Sequence, residues 1–153
     1  MKCGQKDGRK NMNVIIDTNI AIDVISQREP YYKQSQLVLL ASKEKTINGY
    51  ISASAITDIF YIINRMIKNN SEVKELLRKL VINNVEIASV DGSIIKQALD
   101  SDWDDFEDCV QYYVGESISA DYIVTRNPDD FTSGSIKVIT PDELLDIIAP
   151  EED

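Results

Sequence analysis

The chain has 153 residues, 43% of them hydrophobic, and carries 26 acidic against 16 basic side chains for a net charge of −10. That is the length of one compact domain with enough apolar material for a core, and no apolar run approaches the ~20 residues that a bilayer span needs. Histidine is absent, which excludes Ser-His-Asp and Cys-His catalysis, histidine acid–base chemistry and HExxH zinc sites.

Residues 1–11 are basic, with no apolar stretch behind them, so they read as an extension before the fold rather than a secretory leader, with Met12 a candidate start. The apolar run Asn13 to Ile16 predicts a buried strand that stops at Asp17-Thr18-Asn19. A short helix through Ile20, Ile22, Val24 and Ile25 follows, and Glu29-Pro30 breaks it. Pro30 suits the first turn of a second helix carried by Leu37, Val38, Leu40 and Ala41. Asn48-Gly49 reads as a turn before a very short strand at Tyr50-Ile51. Ser52 or Ser54 caps a helix whose apolar positions Ile56, Ile59, Phe60, Ile63 and Ile67 recur at helical spacing.

Ser71 is the capping candidate for the next helix, which ends at Asn83-Asn84 before a strand from Val85 to Ala88. Asp91 caps a helix through Ile94, Ile95, Ala98 and Leu99, and an acidic linker leads to another helix from Asp105 to about Ser117. Tyr122 to Val124 is a strand, residues 125–134 a polar loop and Ile136 to Ile139 the last strand. Thr140-Pro141-Asp142-Glu143 is a complete capping box for the final helix. Strands alternating with helices predict an α/β fold: a small parallel sheet of about five short strands with helices on both faces. The domain covers residues 12–148, with an acidic tail at residues 149–153.

Open α/β sheets bind ligands beyond the carboxyl ends of their strands, where strand order reverses. Asp17 follows the first strand, and Asn127 and Asp130 follow the Tyr122–Val124 strand. Asp105 and Asp108 share a face at the start of a helix, and Asp58 lies in the first half of the helix beginning near Ser52. Each has a plain structural reading: Asp17 and Asp105 as helix caps, Asp108 as a first-turn carboxylate, Asp58 as part of a solvated face, Asp130 as a loop acid. Together they are hard oxygen donors whose mutual repulsion a divalent cation would relieve, which points to Mg²⁺ or Mn²⁺. The stretch with Arg65, Lys68, Lys74, Arg78 and Lys79 is the best basic patch, readable as an RNA guide or as a soluble helix face. Tyr112 and Tyr113 could stack a base, although packing is the plainer role.

Three segments carry a family resemblance. NVIIDTNIAIDVI resembles the opening of PIN-domain proteins, ISASAITDIFYIINR the helix that follows, and DFEDCVQYYVGESISADYIVTRNPDDF a second signature of a bacterial PIN subgroup. They stand in the family's order, and the resemblance spans roughly Met12 to Ile148. It implies a three-layer Rossmann-like fold and a metal-dependent endoribonuclease, with Asp17 and Asp108 in the positions of family acids. Asp58 stands where most members carry Glu, and Asn127 where many carry a further Asp. The first departure shortens the reach and the second removes a charge, which Asp130 or Glu107 would supply. The resemblance further implies that Thr18, Asn19 and Thr125 orient the acids, and Arg126 is a candidate phosphate contact. Many bacterial relatives are toxins of toxin–antitoxin pairs, so an RNA substrate, a small antitoxin partner and a homodimer are expected, with no membrane.

Two cysteines, Cys3 and Cys109, with no histidine make a structural zinc site or disulfide unexpected, and a reducing cytoplasm is the simplest setting. Two other readings compete with the nuclease. One is a catalytically weak PIN-like module acting through protein or RNA contacts. The other is a phosphoryl-transfer domain, disfavoured because Asn19 stands where a phosphatase of this sheet type needs Asp. A receiver domain is disfavoured in turn because Thr140-Pro141 replaces the required Lys after the last strand.

Overall fold

The structure, a computed structural model, describes residues 11–131 and 134–150. Cys3, most of the predicted N-terminal extension and residues 151–153 of the acidic tail lie outside the described residues. The described elements run β1 (Met12–Ile16), α1 (Thr18–Ser26), α2 (Tyr32–Lys43), β2 (Ile47–Ser52), α3 (Ala53–Ile67), α4 (Asn70–Leu77) and β3 (Glu86–Ala88). They continue with α5 (Gly92–Leu99), α6 (Phe106–Ser117), β4 (Tyr122–Val124), β5 (Lys137–Ile139) and α7 (Pro141–Ile148).

The five strands form one sheet in the order β3-β2-β1-β4-β5, with every neighbouring pair parallel. Alternation along β1 sorts the core into two layers. Val14 and Ile16 face a cluster built from α1, α2, α3, α4 and α7, including Ile20, Leu39, Ile59, Val73 and Leu144. Ile15 faces the other way, onto Ile94, Ala98, Val110 and Val114 of α5 and α6. Helices therefore cover both faces, as the strand–helix alternation predicts. The strand order reverses between β1 and β4, whose ends are tied by the Asp17 backbone N–H donating to the Val124 carbonyl at 2.9 Å.

Three local expectations are corrected. Asn48-Gly49 is not a turn but the middle of β2, in register with Asn13 and Val14. Asn48 Nδ2 donates to Asn13 Oδ1 at 3.0 Å across the two strands, and Gly49 lies against Ser42, whose Oγ accepts its N–H at 3.2 Å. A tertiary approach thus claims a dipeptide whose local preference is a turn. The cap of α4 is Asn69, whose side chain accepts from the Glu72 N–H at 3.0 Å, rather than Ser71. The helix begins earlier because Lys68 ends α3 in the left-handed region (φ 60°), and it closes in a π-helical turn, Arg78–Ile82. Pro30 lies in the turn before α2, not in its first turn, since the N–H groups of Tyr31 and Tyr32 both bond the Arg28 carbonyl at 2.9 Å. The capping box of α7 forms as predicted, with Thr140 and Glu143 exchanging bonds.

Candidate metal centre

The reversal point fixes Asp17. Being the residue after β1 and the N-cap of α1, it is held by both elements, and it is 8% exposed. Its Oδ1 accepts the Thr18 N–H at 2.7 Å and the Gln111 Nε2 at 2.6 Å, and its Oδ2 accepts the Thr125 hydroxyl at 2.7 Å. Thr125, at the end of β4, uses its hydroxyl fully: besides donating to Asp17, it accepts from Asn19 Nδ2 and from the Asn127 backbone N–H, both at 3.2 Å. Asn19 closes the network by accepting the Arg126 N–H at 3.3 Å. The three residues expected to orient the acids all touch this network, Thr18 through its backbone.

The remaining acids come from α3, α6 and the loop after β4. Asp105 caps α6 through the Asp108 N–H at 3.0 Å, so its plain reading as a cap holds, and it also sets Glu107 and Asp108 in the helix's first turn. Burial pushes the Glu107 carboxyl up to about 7, with a hydrogen bond to Asp58 and the charges of Asp58, Asp105 and Asp17 adding to the effect. Burial likewise raises Asp108 to about 7, reinforced by the charges of Asp105, Asp17 and Asp130. Asp17, Asp58, Asp105, Glu107, Asp108 and Asp130 therefore share one field at one rim of the sheet. Asp130 sits in a short 3₁₀ turn, Pro128–Asp130; Asn127 precedes it, exposed, its side chain making no cap bond.

These residues fit a hard divalent ion by donor chemistry: all are oxygen ligands, and their repulsion is what a cation relieves. Among the described residues, no three acids stand close enough to enclose an ion by themselves. That spacing excludes a dry all-carboxylate cage and suits Mg²⁺ or Mn²⁺ held by one or two carboxylates with water completing the shell.

Arg126 is engaged elsewhere. Its Nε and Nη2 bond the two oxygens of Asp23 at 2.8 and 3.2 Å, and its guanidinium stacks on Tyr31 at 4.5 Å from the ring centre. Asp23 is fully buried. The exposed basic stretch of α3 and α4 lies outside the acid network, with Arg78 paired to Glu75 on its own helix at 3.3 Å. Tyr112 is buried against Trp103 and Tyr113, as packing predicts. Cys109 is a buried free thiol, and burial pushes it up.

Sequence reasoning missed Gln111 and Asp23. The signal for Gln111 was present: an uncharged polar residue on a helix stretch of otherwise apolar neighbours, three positions after Asp108 and four after Glu107. Asp23 carried no such signal, since its partner lies 103 residues away.

A PIN-domain family profile matches residues 13–129. Over 138 residues the chain is 28% identical to "Ribonuclease VapC1" of Aquifex aeolicus, covering 87% of this chain and 93% of that protein. Among solved structures it resembles VapBC2 of Rickettsia felis bound to a promoter DNA fragment, with TM-score 0.60, 16% identity, and 84% of this chain and 98% of that one covered. It also resembles Mycobacterium tuberculosis VapC20, a toxin that cleaves the sarcin–ricin loop, with TM-score 0.57, 11% identity, and 72% and 86% coverage. At these identities the two structures speak to fold.

Proposed function

The chain belongs to the PIN-domain family, and on that premise we propose that it is a metal-dependent endoribonuclease, the toxin of a toxin–antitoxin pair. The observation that carries this reading is Asp17, held at the strand-order reversal by Thr18, Gln111 and Thr125, with Glu107 and Asp108 beside it, both raised to about 7 by burial and then by the neighbouring acids. One or two of Asp17, Asp58 and Asp108 would hold Mg²⁺ or Mn²⁺, with Asp130 and Asn127 as further oxygen donors and water completing the shell. When bound, the ion supplies an activated water and charge stabilisation on the phosphoryl oxygens. The chain's own part is to orient Asp17 through Thr18, Gln111 and Thr125, and to hold the loop after β4 through Asn19 and Arg126. Asp23 takes Nε and Nη2 of Arg126, so any contact of this guanidinium with an RNA phosphate would fall to Nη1.

A small antitoxin and a second copy of the chain are the partners in this reading; the antitoxin is supported by the solved structure of the same fold that carries a VapBC name. No helix among the described residues is long and apolar enough to cross a membrane. A weak-catalysis module is favoured by one observation, the lack among the described residues of three acids within reach of one ion. Mn²⁺ titration and cleavage of a structured RNA by the wild type and Asp17→Asn decide between them. The nuclease reading expects Mn²⁺ binding and cleavage that Asp17→Asn abolishes. Equal cleavage by both proteins overturns it.

A further inference from the structure

Gln111 is 1% exposed and lies on the same face of α6 as Glu107 and Asp108. Its Nε2 reaches across to Asp17 Oδ1 at 2.6 Å, while its Oε1 is buried with no partner among the described residues. A glutamine kept for stability would use both ends of its amide, because a buried polar atom left unpaired is destabilising. A methionine or leucine of similar size would fill the same space without that penalty. The side chain is therefore explained by the one bond it makes, and that bond falls on the carboxylate at the centre of the acid network.

A carboxylate offers about four lone-pair sites. On Asp17 the Thr18 N–H and Gln111 take Oδ1, and the Thr125 hydroxyl takes one site of Oδ2. We propose that Gln111 is a positioning residue that occupies Oδ1, so that Asp17 meets a divalent ion through Oδ2 alone, and that sets the separation between Asp17 and the carboxylates of α6. It is the link among these three donors that comes from the helix bearing Glu107 and Asp108. Thr18 and Thr125 belong to the elements on either side of the reversal point. The inference rests on the metal reading above.

The test uses the full chain, with Gln111→Met and Gln111→Leu beside wild type and Asp17→Asn. Three quantities are read: Mn²⁺ affinity by calorimetry, melting temperature without metal, and kcat and KM for RNA cleavage. The expected result is metal-free melting close to wild type in both variants, because the orphaned Oε1 is gone while Asp17 Oδ1 loses one donor and keeps the Thr18 N–H. Mn²⁺ affinity should fall about 10- to 100-fold, the range for residues that orient metal ligands, and kcat should fall with KM for RNA unchanged. Wild-type Mn²⁺ affinity in both variants overturns the inference alone. Lower metal-free melting with wild-type Mn²⁺ affinity shows Gln111 to be a stability element alone and likewise overturns it. A folded wild type that binds no Mn²⁺ overturns the metal reading and this inference with it.

Discussion

At the scale of single residues, the acids decide the pH behaviour. Glu107 and Asp108 titrate near 7 in the folded chain, well above the ordinary carboxylate range, so between about pH 4 and 7 the folded state binds more protons than the unfolded one. Their contribution to stability is thus full below the unfolded values and lost as pH rises through 7. The metal-free urea midpoint should fall over that window, and added Mn²⁺ should restore it at neutral pH. Asp105→Asn separates cap from charge: Asn caps a helix as well as Asp, but the substitution removes a repulsion felt by both Glu107 and Asp108. The expected outcome is an unchanged midpoint at pH 4.5 with a shallower fall towards pH 7.5, followed by urea titration across pH. Asp17 and Asp108 drew attention because acids after strands and at helix starts are local signals, and Asp58 because it falls in the segment that resembles a helix of the family. Gln111 left only the faint signal of a polar residue among apolar neighbours, because its meaning lies in a hydrogen bond to a residue 94 positions away.

At the scale of elements, periodicity and every cap but that of α4, where Asn69 replaces Ser71, were readable, while contacts between distant segments were not. Thr140, Ser52, Asp91 and Asp105 all cap the helices expected of them, each through a bond three residues along the chain. Asn48 and Gly49 misled for the opposite reason: β2 needs a residue without a side chain where α2 passes close. A Cβ built on Gly49 would lie 2.5 Å from Ser42 Oγ and 2.8 Å from its Cβ. Gly49→Ala should therefore destabilise by about 1–3 kcal/mol through overpacking, read as a lower urea midpoint with unchanged slope. The pair of Asp23 and Arg126 fastens α1 to the loop after β4. Arg126→Ala leaves a fully buried carboxylate unpaired, which should cost about 3–5 kcal/mol. Replacing both residues by apolar ones should cost less than that single change, and a double-mutant cycle in urea measures the difference.

At the scale of the whole molecule, fold class followed from alternation alone, yet the order β3-β2-β1-β4-β5 had to come from the structure. Periodicity fixes which faces are apolar but not which strands are neighbours, and it is the adjacency of β1 and β4 that joins Asp17 to Thr125. The net charge of −10 opposes a polyanion at long range. Raising ionic strength from about 0.01 to 0.1 M shortens the screening length from about 30 to 10 Å, so KM for RNA should fall over that range. A basic nuclease would lose affinity instead.

The two outermost strands, β3 and β5, are three residues long. So short a border gives an intruding peptide too few backbone partners to zip onto, and brevity of this kind is one way natural sheets discourage runaway stacking. A partner therefore finds little strand edge to extend, and misfolded neighbours find little template from which to seed fibrils.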